Sequence, residues 1–343
     1  METIEVIELH KHGSSKEAFR FANRPKPVLK EGELLVEVSS FGLNYADVMA
    51  RNGLYASAPP MPSVLGYEVV GLVVEKHPSC KDFQLGDRVL AFTLFGAYAK
   101  HAVAKVETTV ILPEEIEDGV ATALATQYCT AYYSAIHMAN IQAGETLLVH
   151  AAAGGLGTAL VQLAKWKNCK VIGTASSEKK LEYLKSQGVD LAINYKSKDY
   201  QKEISSHKEM VDVSFNPIGG KTFKKDKALL SFGGRMVLLG VSTWSHKKGS
   251  TIDKLKLAYD FGLMHPIELL LKSIGVIGVN MLHVAQSKPQ VIKQCMTELI
   301  ALYQAGAIWP HINNVYSQSQ FMDAHDALES RSTMGKLVVQ WKE

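Results

Sequence analysis

The stretch HAAAGGLGTALVQLAK, residues 150–165, follows the short apolar run TLLV and opens a segment with helical spacing. A strand, a glycine turn and a helix in that order are the local signature of a βα unit that holds a phosphate group at its turn. Gly154 and Gly157 stand at the second and third glycine positions of the dinucleotide-binding fingerprint, with Ala152 at the first and Gly155 and Leu156 between. A glycine at 154 lets the backbone approach a pyrophosphate, and one at 157 lets helix and strand pack closely. The helix N-terminus then offers unpaired N–H groups to phosphate oxygens. A tight structural turn would use the same glycines, so the context has to carry the assignment. The wider run Thr146–Ala164 contains no Asp, Glu, Lys or Arg and is about long enough to span a bilayer. Its change of pattern at paired glycines fits a strand and a buried helix better than a spanning segment.

Outward from that turn the chain alternates. KVIGTAS (170–176), DLAINY (190–195), VDVSFN (211–216) and GGRMVLLG (233–240) read as strands. Between them SEKKLEYLKSQ (177–187), YQKEISSH (200–207) and KTFKKDKALLSF (221–232) read as helices. That rhythm predicts a parallel, doubly wound α/β sheet. The stretch 242–272 interrupts it with a Lys-rich segment and the amphipathic LAYDFGLMHPIELLLK (257–272), after which SIGVIGVNML (273–282) restores a strand. The last segment is expected to hold one helix, VIKQCMTELIALYQAG (291–306), and the strand GKLVVQW (335–341). Upstream, ELLVEVSSFGL (33–43), GYEVVGLVVEKH (66–77), DRVLAF (87–92), GAYAKHAVAK (96–105) and TTVILP (108–113) are short Val-rich runs separated by Gly, Pro and Asp. They predict a compact, barrel-like β domain to which the terminal strand returns. The Ala-rich EEIEDGVATALATQYCTAYYSAIHMAN (114–140) between the two regions reads as helix.

Whole-chain totals agree with a two-domain globular protein: 343 residues, 47% hydrophobic and 21% charged. A net charge of +3, with both signs interleaved, gives no electrostatic case for nucleic acid or an anionic membrane surface. Cys80, Cys129, Cys169 and Cys295 are scattered without metal-ligand spacing, which suits reduced thiols. The N-terminus alternates like a strand and lacks the apolar core of a signal peptide, so a cytoplasmic protein is expected.

The residues after the second strand of the α/β region bear on which dinucleotide is held. NAD binders usually carry Asp or Glu there for the ribose hydroxyls. This chain has Ser176 and Ser177, then Lys179 and Lys180, which suit a 2′-phosphate and favour NADPH; a merely solvated helix face is the alternative for the lysines. Glu178 is the discordant residue, placed on the outward side of the helix.

Together, GLNYADVMARNGLY (42–55), GYEVVG (66–71), GDRV (86–89), the HAAAGGLG loop, GTASSEKK (173–180), VDVSFNPIGG (211–220) and GKLVV (335–339) resemble the medium-chain dehydrogenase/reductases, and within them the zinc-independent quinone oxidoreductases. The wording of 42–55 and 149–157 is most similar to the VAT-1-like branch. The resemblance implies a GroES-like β domain from residues 1–122 and 283–343 and a Rossmann domain from 123–282. Zinc members of the family carry Cys where this chain has Asn44 and His–Glu where it has Tyr67-Glu68, so no metal site is expected. Glu68, amid Val and Leu, is then a strand carboxylate satisfied by a basic or backbone donor rather than a general acid.

Without a Lewis acid, the accessible reaction is hydride transfer from NADPH to an electron-poor quinone or α,β-unsaturated carbonyl. The resemblance gives Asn44 a direct role near the nicotinamide and acceptor, with a turn-capping Asn as the alternative, while Asp47 caps the short helix that holds this loop. Tyr45 and Tyr55 are candidate oxyanion or proton donors, or pocket walls. Cofactor contacts are expected from Asn44, Thr130, Gly154, Gly155, Leu156, Gly157, Ser176, Lys180, Tyr195, Asn216, Gly240, Val241, Asn280 and, more weakly, Lys336. Two other readings stay open: an enoyl thioester reductase, with HKKGSTIDKLK (246–256) as a basic patch for acyl-CoA phosphates, and a non-catalytic NADPH-binding protein that uses 257–272 as a lipid or partner surface. A homodimer through SIGVIGVNML is expected from the family pattern.

Overall fold

The alternating strands and helices downstream of Thr146 assemble into one six-stranded sheet in which every pairing is parallel. Its strands are β9 (Thr146–Val149), β10 (Lys170–Ala175), β11 (Leu191–Asn194), β12 (Val211–Asn216), β13 (Leu230–Leu238) and β14 (Gly275–Gly278). The order β11-β10-β9-β12-β13-β14 reverses direction between β9 and β12, the switch point at which doubly wound sheets hold ligands. All four residues of β9 are buried, which is why this central strand reads as a continuous apolar run instead of an alternating one. The helix Gly155–Trp166 packs back on the sheet, and at Gly157 a Cβ would collide with the Ala151 carbonyl, so glycine is required there. The run Thr146–Ala164 is thus a strand, a loop and part of a 12-residue helix, and no helix among the described residues is long and apolar enough to cross a membrane.

The computed structural model describes residues 2–242, 256, 258–262 and 264–341. It divides into two units, Met1–Cys129 with Met281–Glu343, and Thr130–Asn280. The basic stretch 246–256 lies outside the described residues apart from Lys256, as do Leu257 and Leu263 of the amphipathic stretch.

The first unit is built on two antiparallel-rich sheets. The smaller contains β1 (Thr3–Leu9), β2 (Phe19–Pro25) and β4 (Ser63–Val64) in the order β2-β1-β4. The larger contains β3 (Glu33–Leu43), β5 (Glu68–Lys76), β6 (Arg88–Phe92), β7 (His101–Lys105), β8 (Thr109–Ile111), β15 (Ile312–Ser317) and β16 (Lys336–Gln340). Its order is β15-β16-β3-β5-β6-β8, with β7 also on β3. The expected return of the terminal strand is seen as β16 pairing antiparallel with β3, which brings Leu337 opposite Leu43. An aromatic core of Phe19, Phe41, Tyr98 and Phe321 lies beneath, with Phe41–Tyr98 and Tyr98–Phe321 centroids both 4.9 Å apart.

Three features differ from the sequence reading. The unit boundaries fall at 129/130 and 280/281, not 122/123 and 282/283. Residues 123–129 stay with the β unit because Thr126 bonds Glu68 and Cys129 is fully enclosed against Ile292. The Ala-rich segment is also not regular α-helix, since Leu124–Tyr128 and Tyr133–Met138 widen into π-helical turns. Finally, the segment after Asn280 holds three helices, Met281–Ser287, Pro289–Gln304 and Phe321–Glu329, where one was expected. Phe321–Glu329 buries Phe321, Ala324 and His325, too short an apolar stripe to stand out from its polar neighbours.

Candidate functional site

In the β unit, the polar centre forms where β3 ends and the helix Tyr45–Arg51 begins. Asn44 precedes that helix, and its backbone N–H donates to Asp47 Oδ2 at 2.9 Å, the capping role expected of Asp47. The Asn44 side chain donates through Nδ2 to both Glu68 oxygens, at 3.0 and 2.8 Å, and accepts through Oδ1 from Lys336 Nζ at 3.0 Å. Lys336 Nζ also forms an ion pair with Glu68 Oε1 and bonds the Leu43 carbonyl at 3.2 Å, while Thr126 Oγ1 donates to Glu68 Oε2 at 2.5 Å. Glu68 is therefore the satisfied strand carboxylate that its setting required, and its cation is Lys336. Asn44, Glu68 and Lys336 are all buried, and Gly42 is what makes room: a Cβ there would collide with Glu68 Oε1 and the end of Lys336. Both ends of the Asn44 amide and the Lys336 ammonium are engaged inside this unit.

Beside this trio lies a second carboxylate with a different fate. Asp47 is fully buried, and desolvation pushes it up to about 7, with the nearby Glu68 charge adding to the rise. The Tyr98 hydroxyl approaches Asp47 without the geometry of a full hydrogen bond, and its pull is outweighed by burial. Burial likewise raises the Tyr67, Tyr98 and Tyr55 hydroxyls above the usual phenol value. Tyr67 packs on Phe95 with centroids 5.3 Å apart. Tyr55 is half-buried against the same core, and the Tyr45 hydroxyl accepts from Arg331 Nη2 at 2.8 Å and Nε at 3.1 Å. Among the described residues no three His, Cys, Asp or Glu side chains converge to hold a metal ion.

In the α/β unit, the parallel sheet brings most of the remaining candidates to one edge, the carboxyl ends of its strands. Gly154, Gly155, Leu156 and Gly157 follow β9, Ser176 follows β10 and Tyr195 follows β11; Asn216 ends β12, Gly240 and Val241 follow β13, and Asn280 follows β14. Ala151 sits in the left-handed region at φ 49°, a strained conformation for alanine that turns the chain out of β9. Ser177 accepts from the Lys180 N–H at 3.4 Å and starts the helix Glu178–Ser186, and Glu178 is turned aside to accept from Asn194 Nδ2 at 2.9 Å. Lys180 is half-buried; desolvation and then Lys196 lower its pKa, so two ammonium groups stand close enough to oppose each other. Thr130 is the first residue of this unit and is partly exposed.

Asn216 is held by bonds of its own at the end of β12. It is fully buried, donates to Thr222 Oγ1 at 2.9 Å and Asp226 Oδ2 at 2.7 Å, and accepts from the Ile218 and Gly219 N–H groups at 2.9 Å each. It belongs to a buried network of His150, Thr174, Tyr200, Ser214 and Asp226 that sequence reasoning missed. The signal was available, since Asp226 interrupts the buried stripe Phe223–Asp226–Leu229 of the helix Lys221–Leu229.

Comparison with known proteins places both units. Residues 30–131 match the family model described as "Alcohol dehydrogenase GroES-like domain", and residues 155–301 the one described as "Zinc-binding dehydrogenase". The chain is 32% identical over 316 residues to the human synaptic vesicle membrane protein VAT-1 homolog, covering 91% of this chain and 80% of that protein. It is 28% identical over 317 residues to human quinone oxidoreductase, covering 91% and 90%. The solved structure of Escherichia coli quinone oxidoreductase complexed with NADPH superposes with a TM-score of 0.84 at 27% identity, covering 98% of this chain and 100% of that one.

Proposed function

Because the chain belongs to the medium-chain dehydrogenase/reductase superfamily, with VAT-1 homologues and quinone oxidoreductases among its relatives, we propose that it is a zinc-independent, NADPH-dependent oxidoreductase acting on a quinone or an activated α,β-unsaturated carbonyl. The observation that carries this reading is the edge of the parallel sheet, where the glycine loop, Ser176 and Lys180 gather and no carboxylate follows β10 before Glu178, which is itself bonded to Asn194. That donor set fits NADPH. The N–H groups at the start of Gly155–Trp166 suit the pyrophosphate, and Ser176 with Lys180 suits the 2′-phosphate. Bound NADPH supplies the hydride.

Zinc does not fit the chain's residues, whatever the family model's name. The Asn44 amide is committed to Glu68 and Lys336, a Tyr replaces the imidazole, and the four buried free cysteines belong to no group of three potential ligands among the described residues. The chain's own groups then have two tasks. Asn44, Glu68 and Lys336 form a rigid polar floor in the β unit. Tyr55, kept protonated by burial, donates the proton that the oxyanion or enolate left by hydride addition requires, and Tyr45 supplies a second hydroxyl near the same helix start.

Steady-state NADPH oxidation against a quinone, a simple enone and an enoyl-CoA tests the reading, and absence of turnover with all three sinks it. A second reading, a non-catalytic NADPH-binding protein with a docking surface, is favoured by one observation. The helix Pro266–Lys272 buries none of its residues and exposes Leu270 and Leu271, 76% and 73% accessible. Liposome flotation of the whole chain tests its lipid form. The same proposal keeps the homodimer, for which β14 offers a sheet edge with no partner among the described residues, and light scattering would reveal a monomer if it is wrong.

A further inference from the structure

Asp226 fills its acceptor capacity with four side-chain partners drawn from more than one element. Its Oδ1 accepts from the Tyr200 hydroxyl at 2.8 Å, its Oδ2 from Ser214 Oγ and Asn216 Nδ2 at 2.7 Å each, and both oxygens lie 3.0 Å from His150 Nε2. Two of these partners lead directly to loops. His150 is the residue before Ala151, where the glycine loop leaves β9, and its Nδ1 lies 3.1 Å from Thr174 Oγ1 near the end of β10. Asn216 ends β12 and holds the turn behind it through the N–H groups of Ile218 and Gly219, where Gly219 and Gly220 take left-handed φ values of 71° and 61°. One carboxylate thus fixes the ends of β9, β10 and β12, the strands on either side of the switch point.

A stability role alone does not call for this arrangement, because a well-packed apolar residue in place of a buried ionic group is often neutral or stabilising. The arms of the network have no slack. Tilting the imidazole or the Asn216 amide lengthens and weakens bonds of 2.7–3.0 Å and moves the loop backbone attached to it. Loops that present N–H groups to a pyrophosphate tolerate little such movement.

We propose that Asp226 is the positioning residue of the dinucleotide site: through His150 and Asn216 it sets the glycine loop after β9 and the turn after β12, and it touches no ligand itself. This inference rests on the NADPH reading above. The test uses the full chain, with NADPH titrated by fluorescence and steady-state kinetics measured alongside thermal unfolding. Asp226→Asn should raise the NADPH dissociation constant and KM about tenfold or more while kcat at saturating NADPH stays within about threefold. His150→Gln should weaken NADPH in the same direction. Tyr200→Phe removes a donor to the same carboxylate without reaching a loop, and should lower Tm while leaving the dissociation constant within about twofold.

If Asp226→Asn lowers Tm but binds NADPH as tightly as the unaltered chain, the positioning role is overturned and the carboxylate is structural. Where Asp226→Asn does not accumulate folded, the other two variants decide, and equal NADPH affinities for His150→Gln and Tyr200→Phe overturn it as well. An unaltered chain that fails to bind NADPH overturns the functional reading and this inference with it, an outcome distinct from the first two.

Discussion

Asp47 and Asp226 are equally removed from solvent, one in each unit, and their surroundings drive them in opposite directions. Desolvation raises both. At Asp226 the neighbouring His150, together with donors from Ser214 and Tyr200, overcomes it and holds the carboxyl below its ordinary value. At Asp47 the capping N–H and the imperfectly placed Tyr98 hydroxyl do not, Glu68 adds repulsion, and the group is pushed up to about 7. The pair shows that burial sets the size of the stake and the count of well-aimed donors sets its sign. The α/β unit uses a fixed charge as a frame for its loops. The β unit keeps, near its buried Glu68–Lys336 ion pair, an acid whose proton is held near neutral pH.

The comparison breaks most sharply at the ion pair that makes the β unit's centre tenable. Lys336→Met leaves the Glu68 charge buried against Asn44 and Thr126 alone, and should destabilise the fold by about 3–5 kcal/mol in chemical denaturation. Adding Glu68→Gln to that variant should recover much of the loss, since it removes the stranded charge; purely additive effects would show that Glu68 and Lys336 are not coupled.

The next test reads the sign of each aspartate. The folded pKa of Asp47 lies above its unfolded value, so between roughly pH 4 and 7 the native state binds the extra proton and stability from this group falls as pH rises, by a few kcal/mol at most. Asp47→Asn should flatten that decline in Tm against pH. The folded pKa of Asp226 is depressed, so its contribution is present above the ordinary carboxylate pKa and disappears as pH falls through the lower folded value. Asp226→Asn should therefore change the acid limb of the profile, and a shared effect of both variants on one limb would erase the contrast.

The smallest expected effect concerns the loops at the carboxyl ends of the α/β strands. Lys180→Ala should raise the KM for NADPH about tenfold, roughly 1.4 kcal/mol, and leave that for NADH nearly unchanged. Equal weakening of both cofactors would return Lys180 to the role of a solvated helix residue.

What the sequence made legible follows from how local each feature is. The βα alternation and the glycine turn were readable because a parallel sheet buried on both faces leaves apolar runs, and because Gly157 has no room for a side chain. Asp47 was readable as a cap from its place three residues after Asn44. The Lys336–Glu68 pair was foreseen only as an unnamed donor, since its members lie 268 residues apart in sequence. The bond between Asn44 and Lys336 was not legible at all, because nothing local in the sequence pairs residues so far apart. Asp226 was passed over in a Lys-rich helix, where its neighbours on the chain hide the buried stripe it occupies.

The central claim is hydride transfer from NADPH without a metal. The most direct test is the steady-state rate of NADPH oxidation by the purified chain with a quinone or an enone, measured with and without a strong chelator and repeated with NADH. The account predicts turnover with NADPH that the chelator does not change and that NADH supports poorly. Turnover that vanishes with the chelator, a preference for NADH, or no oxidation with any acceptor would contradict it.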